Sequence, residues 1–258
     1  MSLNNFLINT ILITTLIFSG CDSDSGSSST SATGNTSITT GKSGSMSRFA
    51  IDENTLYTIS GNRIKQYDIT QPEQPLYWSS ATVSDDIETL FVHNEYMFIG
   101  SMTGIYIYEI NSLGQLDYVS NFMHVQSCDP VVVEGDYAYV TLRGDSACSI
   151  NGLNEFDIID ISDISNPKLV SSWVMEGPMG LGVDDNQVFV CDGDAGLKVF
   201  NVEDPENITI ADHQPVENCY DVIPDQGQLL VRDLTGLTQY DYTKMPMTLL
   251  SSLEIYNN

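Results

Sequence analysis

One three-residue phrase returns five times along this chain, and its spacing limits the fold more than any other feature. Tyr67-Asp68-Ile69, Tyr108-Glu109-Ile110, Ile159-Asp160-Ile161, Phe200-Asn201-Val202 and Tyr240-Asp241-Tyr242 each hold an acid or amide between two apolar residues. Successive central residues lie 41, 51, 41 and 40 positions apart. A fixed period near 41 is the mark of a repeat architecture, in which every period is one supersecondary module. The single long step places an insertion in the third unit.

Each unit has the same parts. An apolar run such as Pro130–Val133 comes first, then a turn (Gly135-Asp136), then an alternating run such as Tyr137–Val140 or Tyr96–Ile99. The third run opens on Gly and an apolar residue, as in Gly104-Ile105, Gly196-Leu197 and Gly236-Leu237. A polar or Pro-bearing turn (Asn166-Pro167) leads to the fourth, Leu169–Ser172. Short runs of β-branched and aromatic residues between Gly, Asn, Asp and Pro turns are strands, and no stretch sustains a helical period. Four antiparallel strands per period of about 41 describe one blade of a β-propeller. The expected fold is all-β, a five-bladed propeller over residues 48–258, with units at 48–85, 86–126, 127–177, 178–218 and 219–258. Closing the blades into a circle would bury every blade face against a neighbour; an open β-solenoid, the alternative, needs polar caps that the sequence does not supply.

Two stretches carry a family resemblance. "GDYAYVTLRGD" followed by "FDIIDISDISNPKLVSS" resembles the LVIVD repeat, a bacterial and archaeal propeller unit found in secreted lipoproteins, and "VFVCDGDAGLKVFNVEDPENI" is a second copy. Units one, two and five match more loosely. Unit one has Asn62-Arg63 where Gly is expected, and unit five alters the last turn. The resemblance implies the propeller and a cell-surface setting, and it implies no defined activity.

The N-terminus gives an address. Phe6–Phe18 is a mostly apolar run too short to span a bilayer and of the length of a signal-peptide core. It ends in Phe18-Ser19-Gly20-Cys21, which resembles a bacterial lipobox, with Cys21 as the lipidated residue. An ordinary secretory signal with an incidental Cys is the alternative. Residues 22–47 are mostly Ser, Thr and Gly, a composition that cannot offset its ordering entropy and reads as a flexible tether. Signal, Cys, tether and globular domain form the layout of an exported lipoprotein of the cell envelope. It would be held to a bilayer, at the outer membrane or cell surface, through acylated Cys21.

Charge narrows the partners. Thirty-five Asp and Glu stand against nine Lys and Arg, a net charge of −26. Such a particle repels nucleic acid and anionic headgroups and attracts cations.

Four cysteines remain besides Cys21, an even number in an exported chain. Cys128 opens the first strand of unit three and Cys148 follows the second, so antiparallel pairing brings both to one end of the blade. Cys191 and Cys219 fall on the same rim of adjacent blades. The bridges Cys128–Cys148 and Cys191–Cys219 are both expected.

Chemistry is harder to place. Repeat alignment puts Glu88, Asp129, Met179 and Tyr220 on the rim where the innermost strands begin. The insertion Arg143–Asn154, with Arg143 and Asp145, is the candidate contact loop. Asp192 and Asp194 in "DGDAG" echo the start of a calcium loop but lack its later ligands; a structural Ca2+ there is the weaker reading, a plain turn the stronger. His93 aligns near a hairpin turn and reads as solvated, and His124 and His213 follow outer strands. No nucleophile elbow, phosphate loop or nucleophile–base pair can be assembled. The acids of the repeated phrase read as structural, bonding backbone N–H groups of the next turn. The expected function is a non-enzymatic binding module for an envelope protein or glycan, without a cofactor. The alternative is a lactonase-like hydrolase using a divalent cation in the channel.

Overall fold

The computed structural model describes residues 44–84, 87–124, 130–144 and 153–255, and among them every regular element is a strand. The twenty strands form five separate four-stranded antiparallel sheets. Blade 1 holds β1 (Phe49–Asp52), β2 (Thr55–Ser60), β3 (Arg63–Asp68) and β4 (Leu76–Thr82). Blade 2 holds β5 (Ile87–His93), β6 (Tyr96–Ser101), β7 (Gly104–Ile110) and β8 (Leu116–Met123). Blade 3 holds β9 (Val131–Glu134), β10 (Tyr137–Leu142), β11 (Glu155–Asp160) and β12 (Lys168–Val174). Blade 4 holds β13 (Leu181–Asp184), β14 (Gln187–Cys191), β15 (Leu197–Asn201) and β16 (Thr209–Gln214). Blade 5 holds β17 (Asp221–Asp225), β18 (Gln228–Arg232), β19 (Gly236–Asp241) and β20 (Thr248–Glu254). This is the five-bladed propeller expected from the repeat, each blade made from one contiguous stretch of chain.

Local chemistry explains why each unit makes the same blade. The hairpin between first and second strands is a two-residue turn whose first residue has positive φ in every blade: Glu53, Asn94, Gly135, Asp185 and Gln226. That left-handed conformation matches the strand twist, and Asn, Asp and Gly tolerate it best. The third and fourth strands carry a register shift at one equivalent place in each blade, as at Gln66/Tyr67 and Gln239/Tyr240. Such a bulge adds local twist just before the repeated phrase.

The repeated phrase itself closes the following turn. Asp68 Oδ1 accepts from Thr70 N at 2.8 Å, Asp160 Oδ1 from Ser162 N at 2.8 Å, Asn201 Oδ1 from Glu203 N at 2.9 Å and Asp241 Oδ1 from Thr243 N at 2.8 Å. Blade 2 shifts the task two residues on: Asn111 Oδ1 accepts from Leu113 N and Gln115 N, both at 3.0 Å, in place of Glu109. Hydrogen bonds from Thr70, Ser162 and Thr243 hold the Asp68, Asp160 and Asp241 carboxyls below the usual carboxylate range. In four of the five blades the central residue of the phrase is a turn-closing group, as the sequence suggests.

Four apolar clusters fill four seams. Tyr57, Ile64, Leu90 and Met97 join blades 1 and 2. Phe98, Ile107, Val131 and Val140 join blades 2 and 3. Tyr139, Phe156, Val188 and Phe200 join blades 3 and 4, and Phe189, Val199, Val222 and Leu229 join blades 4 and 5. No comparable cluster joins blade 5 to blade 1 among the described residues. The expectation that every face is buried therefore needs correcting. All of β14 beyond its first residue is buried, whereas β18 alternates between buried and at least partly exposed residues and β2 buries only Tyr57. Among the described residues, blades 1 and 5 each have one face buried in a seam and the other partly exposed.

What spans the remaining interval is a segment that the composition had assigned to the tether. Residues 44–47 precede β1 and touch three other blades. Leu90 N donates to Ser47 O at 2.9 Å, Leu181 N donates to Ser45 Oγ at 2.8 Å, and Ser45 Oγ donates to Asp221 Oδ1 at 3.3 Å. Ser45 is 1% exposed. The tether expected over 22–47 thus gives up its last four residues to the folded unit. Cys21 and the residues expected to form a signal peptide lie outside the described residues.

Candidate functional site

Two cavities are built by the inner strands and the loops that precede them. The larger, about 690 Å3, is the channel along the innermost strands β1, β5, β9, β13 and β17. Its wall is largely aliphatic, and residues 44–47 cross it. At their side of the channel sits Asp221, whose carboxyl is pushed up to about 6 by burial, against the pull of hydrogen bonds from Val222 N, Ser45 Oγ and Met46 N. Gly44 and Gly180 make room for it: a Cβ at either would lie 2.1 Å from an Asp221 carboxylate oxygen.

At the hairpin end of the channel, Glu134 caps the backbone N–H groups of Asp185 (3.2 Å) and Asn186 (3.1 Å), and the Tyr242 hydroxyl donates to Asp184. His93 lines this end and is half-buried, not solvated as its turn position suggested; burial lowers its imidazole below the ordinary value while Glu134 and Glu95 oppose that. His213 Nε2 lies 2.7 Å from the Ala195 carbonyl, at the blade 4 turn. His124 lies beside Asp157, a buried acid whose carboxyl burial pushes up.

The second cavity, about 430 Å3, opens on the rim where the inner strands of blades 4 and 5 begin. Three residues singled out from sequence meet here: Arg143, just past β10, Met179, just before β13, and Tyr220, just before β17. Arg232, the last residue of β18, faces the same space. Its guanidinium carbon lies 5.4 Å from the Tyr220 ring centroid, and Nη1 donates to Asp233 O at 2.6 Å. Arg143 Nη1 approaches Met179 Sδ at 2.6 Å, and Thr141 Oγ1 donates to Met179 O at 2.5 Å. Tyr220 is 41% exposed.

The floor of this cavity explains the "DGDAG" stretch. Asp192 is fully buried and accepts from Gly177 N at 2.7 Å, Glu176 N at 3.0 Å and Lys198 Nζ at 2.5 Å. A carboxylate already neutralised by an ammonium and two amides has its lone pairs committed, and Asp194 beside it is exposed. Among the described residues no three His, Cys, Asp or Glu side chains converge as a metal-binding group.

A disulfide between Cys191 and Cys219, with Cα atoms 4.9 Å apart, links blade 4 to the segment entering blade 5. Cys219 N also donates to Gly193 O at 3.1 Å, so the two walls are tied at the cavity floor. Cys128, Cys148, Asp129 and Asp145 lie outside the described residues. Glu88 sits on β5, away from the rim cavity, with its carbonyl 3.4 Å from Arg48 Nη1. Sequence reasoning missed Arg232, Lys198 and Asp221. Arg232 ends a second strand rather than beginning a first, so repeat alignment does not point to it. Lys198 faces Asp192 only because β14 and β15 pair.

The LVIVD-repeat family model matches residues 127–174, which is blade 3. No curated protein sequence matches the chain. Among solved structures, a functionally unknown protein from Desulfotomaculum acetoxidans is similar with a TM-score of 0.65 at 12% identity, over 81% of this chain and 69% of its own. The periplasmic gluconolactonase of Pseudomonas aeruginosa gives 0.59 at 15% identity, over 80% and 71%. BamB from Moraxella catarrhalis gives 0.53 at 14% identity, over 74% and 55%. These likenesses establish the propeller fold, and the chain spans about 55–71% of the length of these structures.

Proposed function

We propose that the protein is a lipid-anchored propeller of the bacterial cell envelope that binds its ligand at the rim cavity and does no chemistry on it. The observation that carries the reading is that cavity. Arg143, Met179, Tyr220 and Arg232 come from the ends of strands in three blades and converge on one concave site tied at its floor by a disulfide. A concave site with a few convergent polar groups on rigid elements is the usual form of a ligand site. No described side chain there pairs a nucleophile with a base. The lipobox-like Cys21 and the Ser/Thr/Gly tether support the envelope address, and the likeness to one structure named as periplasmic agrees with it.

Two measurements test it together. Membrane fractionation of cells fed a labelled fatty acid should place the wild-type chain, labelled, in the membrane, and Cys21→Ser unlabelled in the soluble fraction. Isolated envelope glycan should retain the wild-type chain and lose Tyr220→Ala. Equal fractionation of both chains removes the anchor, and equal retention removes the rim.

A further inference from the structure

Resting on the rim reading, we infer that the rim cavity is an anion site whose ligand is a carboxylate-bearing saccharide. The first ground is charge. The chain has nine Lys and Arg against thirty-five acids, so its general field repels anions. Two of its four arginines nevertheless line one cavity of about 430 Å3. Arg232 makes no ion pair among the described residues: its guanidinium is held by the Asp233 carbonyl and laid against Tyr220. A guanidinium fixed in orientation by a carbonyl and a ring, with no carboxylate of its own, is prepared to take one from a ligand in bidentate geometry.

The second ground is the floor. An acid buried beneath such a site would cancel it, and Asp192 is there. Its charge is answered from below by Lys198 and by the amides of Glu176 and Gly177, so it does not compete for the arginines. The acids that remain among the described lining residues, Glu176 and Asp194, are exposed and screened by solvent.

The third ground decides between a saccharide and a peptide. Peptides are commonly held by main-chain hydrogen bonds to an open strand edge. Here the main-chain N–H groups at the entry to both inner strands are spoken for. Met179 N donates to Cys191 O, Gly180 N to Tyr220 O, Cys219 N to Gly193 O, and Tyr220 N to Arg232 O. What faces the space is side chain: two guanidiniums, the exposed Tyr220 ring and the exposed Asn218 amide. Those groups suit a sugar ring with hydroxyls and a carboxylate.

The probe is trigalacturonate, titrated calorimetrically against the full-length chain, beside its methyl ester and an acidic tripeptide. Trigalacturonate should bind, the ester should bind at least tenfold more weakly, and raising salt should weaken the acid form only. Arg232→Gln and Arg143→Gln should each cost about tenfold, with unfolding midpoints unchanged. Absence of binding by trigalacturonate, equal binding of acid and ester, or tighter binding of the tripeptide each overturns the acidic-saccharide assignment. In each case, wild-type retention on envelope glycan that is lost in Tyr220→Ala would keep the rim reading while the ligand class falls. Failure of that retention as well would remove both.

Discussion

Asp221 is a carboxyl whose surroundings depart far from those usual for its type. A free carboxyl titrates near 3.9, and burial beneath Ser45 and Met46 raises this one to about 6. The folded chain therefore holds this proton more tightly than the unfolded chain. Between about pH 4 and 6 folding takes up a proton, so the stability tied to Asp221 is complete below that window and is lost as pH rises through 6. In Asp221→Asn the side chain keeps an acceptor for Ser45 and never ionises. Its unfolding free energy, from urea melts at pH 4.5 and pH 7.5, should fall less across the interval than that of the wild type. The difference should be about 1–3 kcal/mol. The other carboxylates of the chain are common to both proteins and cancel in the comparison. Parallel curves would mean that Asp221 does not ionise in this window. Nothing in the sequence marks this residue: "NCYDVIPD" reads as an ordinary strand start. Its partners sit 176 positions away in a stretch whose Ser and Gly content argues for disorder.

At the scale of elements, the blades were the legible part. The phrase at positions 68, 109, 160, 201 and 241 marks the end of the third strand, and the Gly or Asn turns mark the first hairpin, because both are local backbone demands. The blade 4–blade 5 seam was legible only where cysteine spacing gave it away. Cys191 and Cys219 could be paired because each lies at an element end facing one rim. Lys198 could not be paired with Asp192, since six residues of separation say nothing until β14 and β15 are in register. The same seam is closely packed. A Cβ on Gly182 would meet Pro224 Cδ at 2.4 Å, so β13 and β17 approach as closely as only glycine permits. The disulfide closes a loop with a sequence separation of 28. Chain-entropy reasoning gives it about 3–4 kcal/mol. Cys191→Ala with Cys219→Ala should lower the urea unfolding free energy by that amount and weaken rim binding, since two cavity walls lose their tie. Unchanged stability would place the seam's strength in Phe189, Val199 and Val222 alone.

At the scale of the whole molecule, repetition in sequence hides an asymmetry in burial. The ring closure expected from five like units follows from the fact that each unit offers two apolar faces. Those faces read alike wherever the unit falls: Tyr57 and Tyr67 are both tyrosines in strand runs of blade 1. Tyr57 is fully buried in the seam with blade 2, and its hydroxyl donates to Gly114 O at 2.9 Å. Tyr67 lies on the opposite face, in the row Ile51–Leu56–Tyr67–Tyr77, where Ile51 is 44% and Tyr77 53% exposed. Replacing Tyr57 by Ala opens a cavity and strands an acceptor, at about 3–5 kcal/mol. Tyr67 is only partly exposed and meets the Tyr77 ring edge-on, so replacing it by Ala costs less than at Tyr57, about 1–2 kcal/mol. The asymmetry also sets the order in which the molecule opens. Blades 2, 3 and 4 are held from both sides, whereas blades 1 and 5 rest on one seam each and on the 44–47 segment. Solenoid-like stability is a sum of module and interface terms, so a module with one interface opens at lower free energy than a module with two. Amide hydrogen exchange should therefore give the largest opening free energies in β10, β11 and β14, and smaller ones in β2, β3, β18 and β19. Equal protection in all five blades would mean that the interval between blades 5 and 1 is as strongly bonded as the four filled seams, and that the half-buried rows on the end blades carry as much stability as the buried ones.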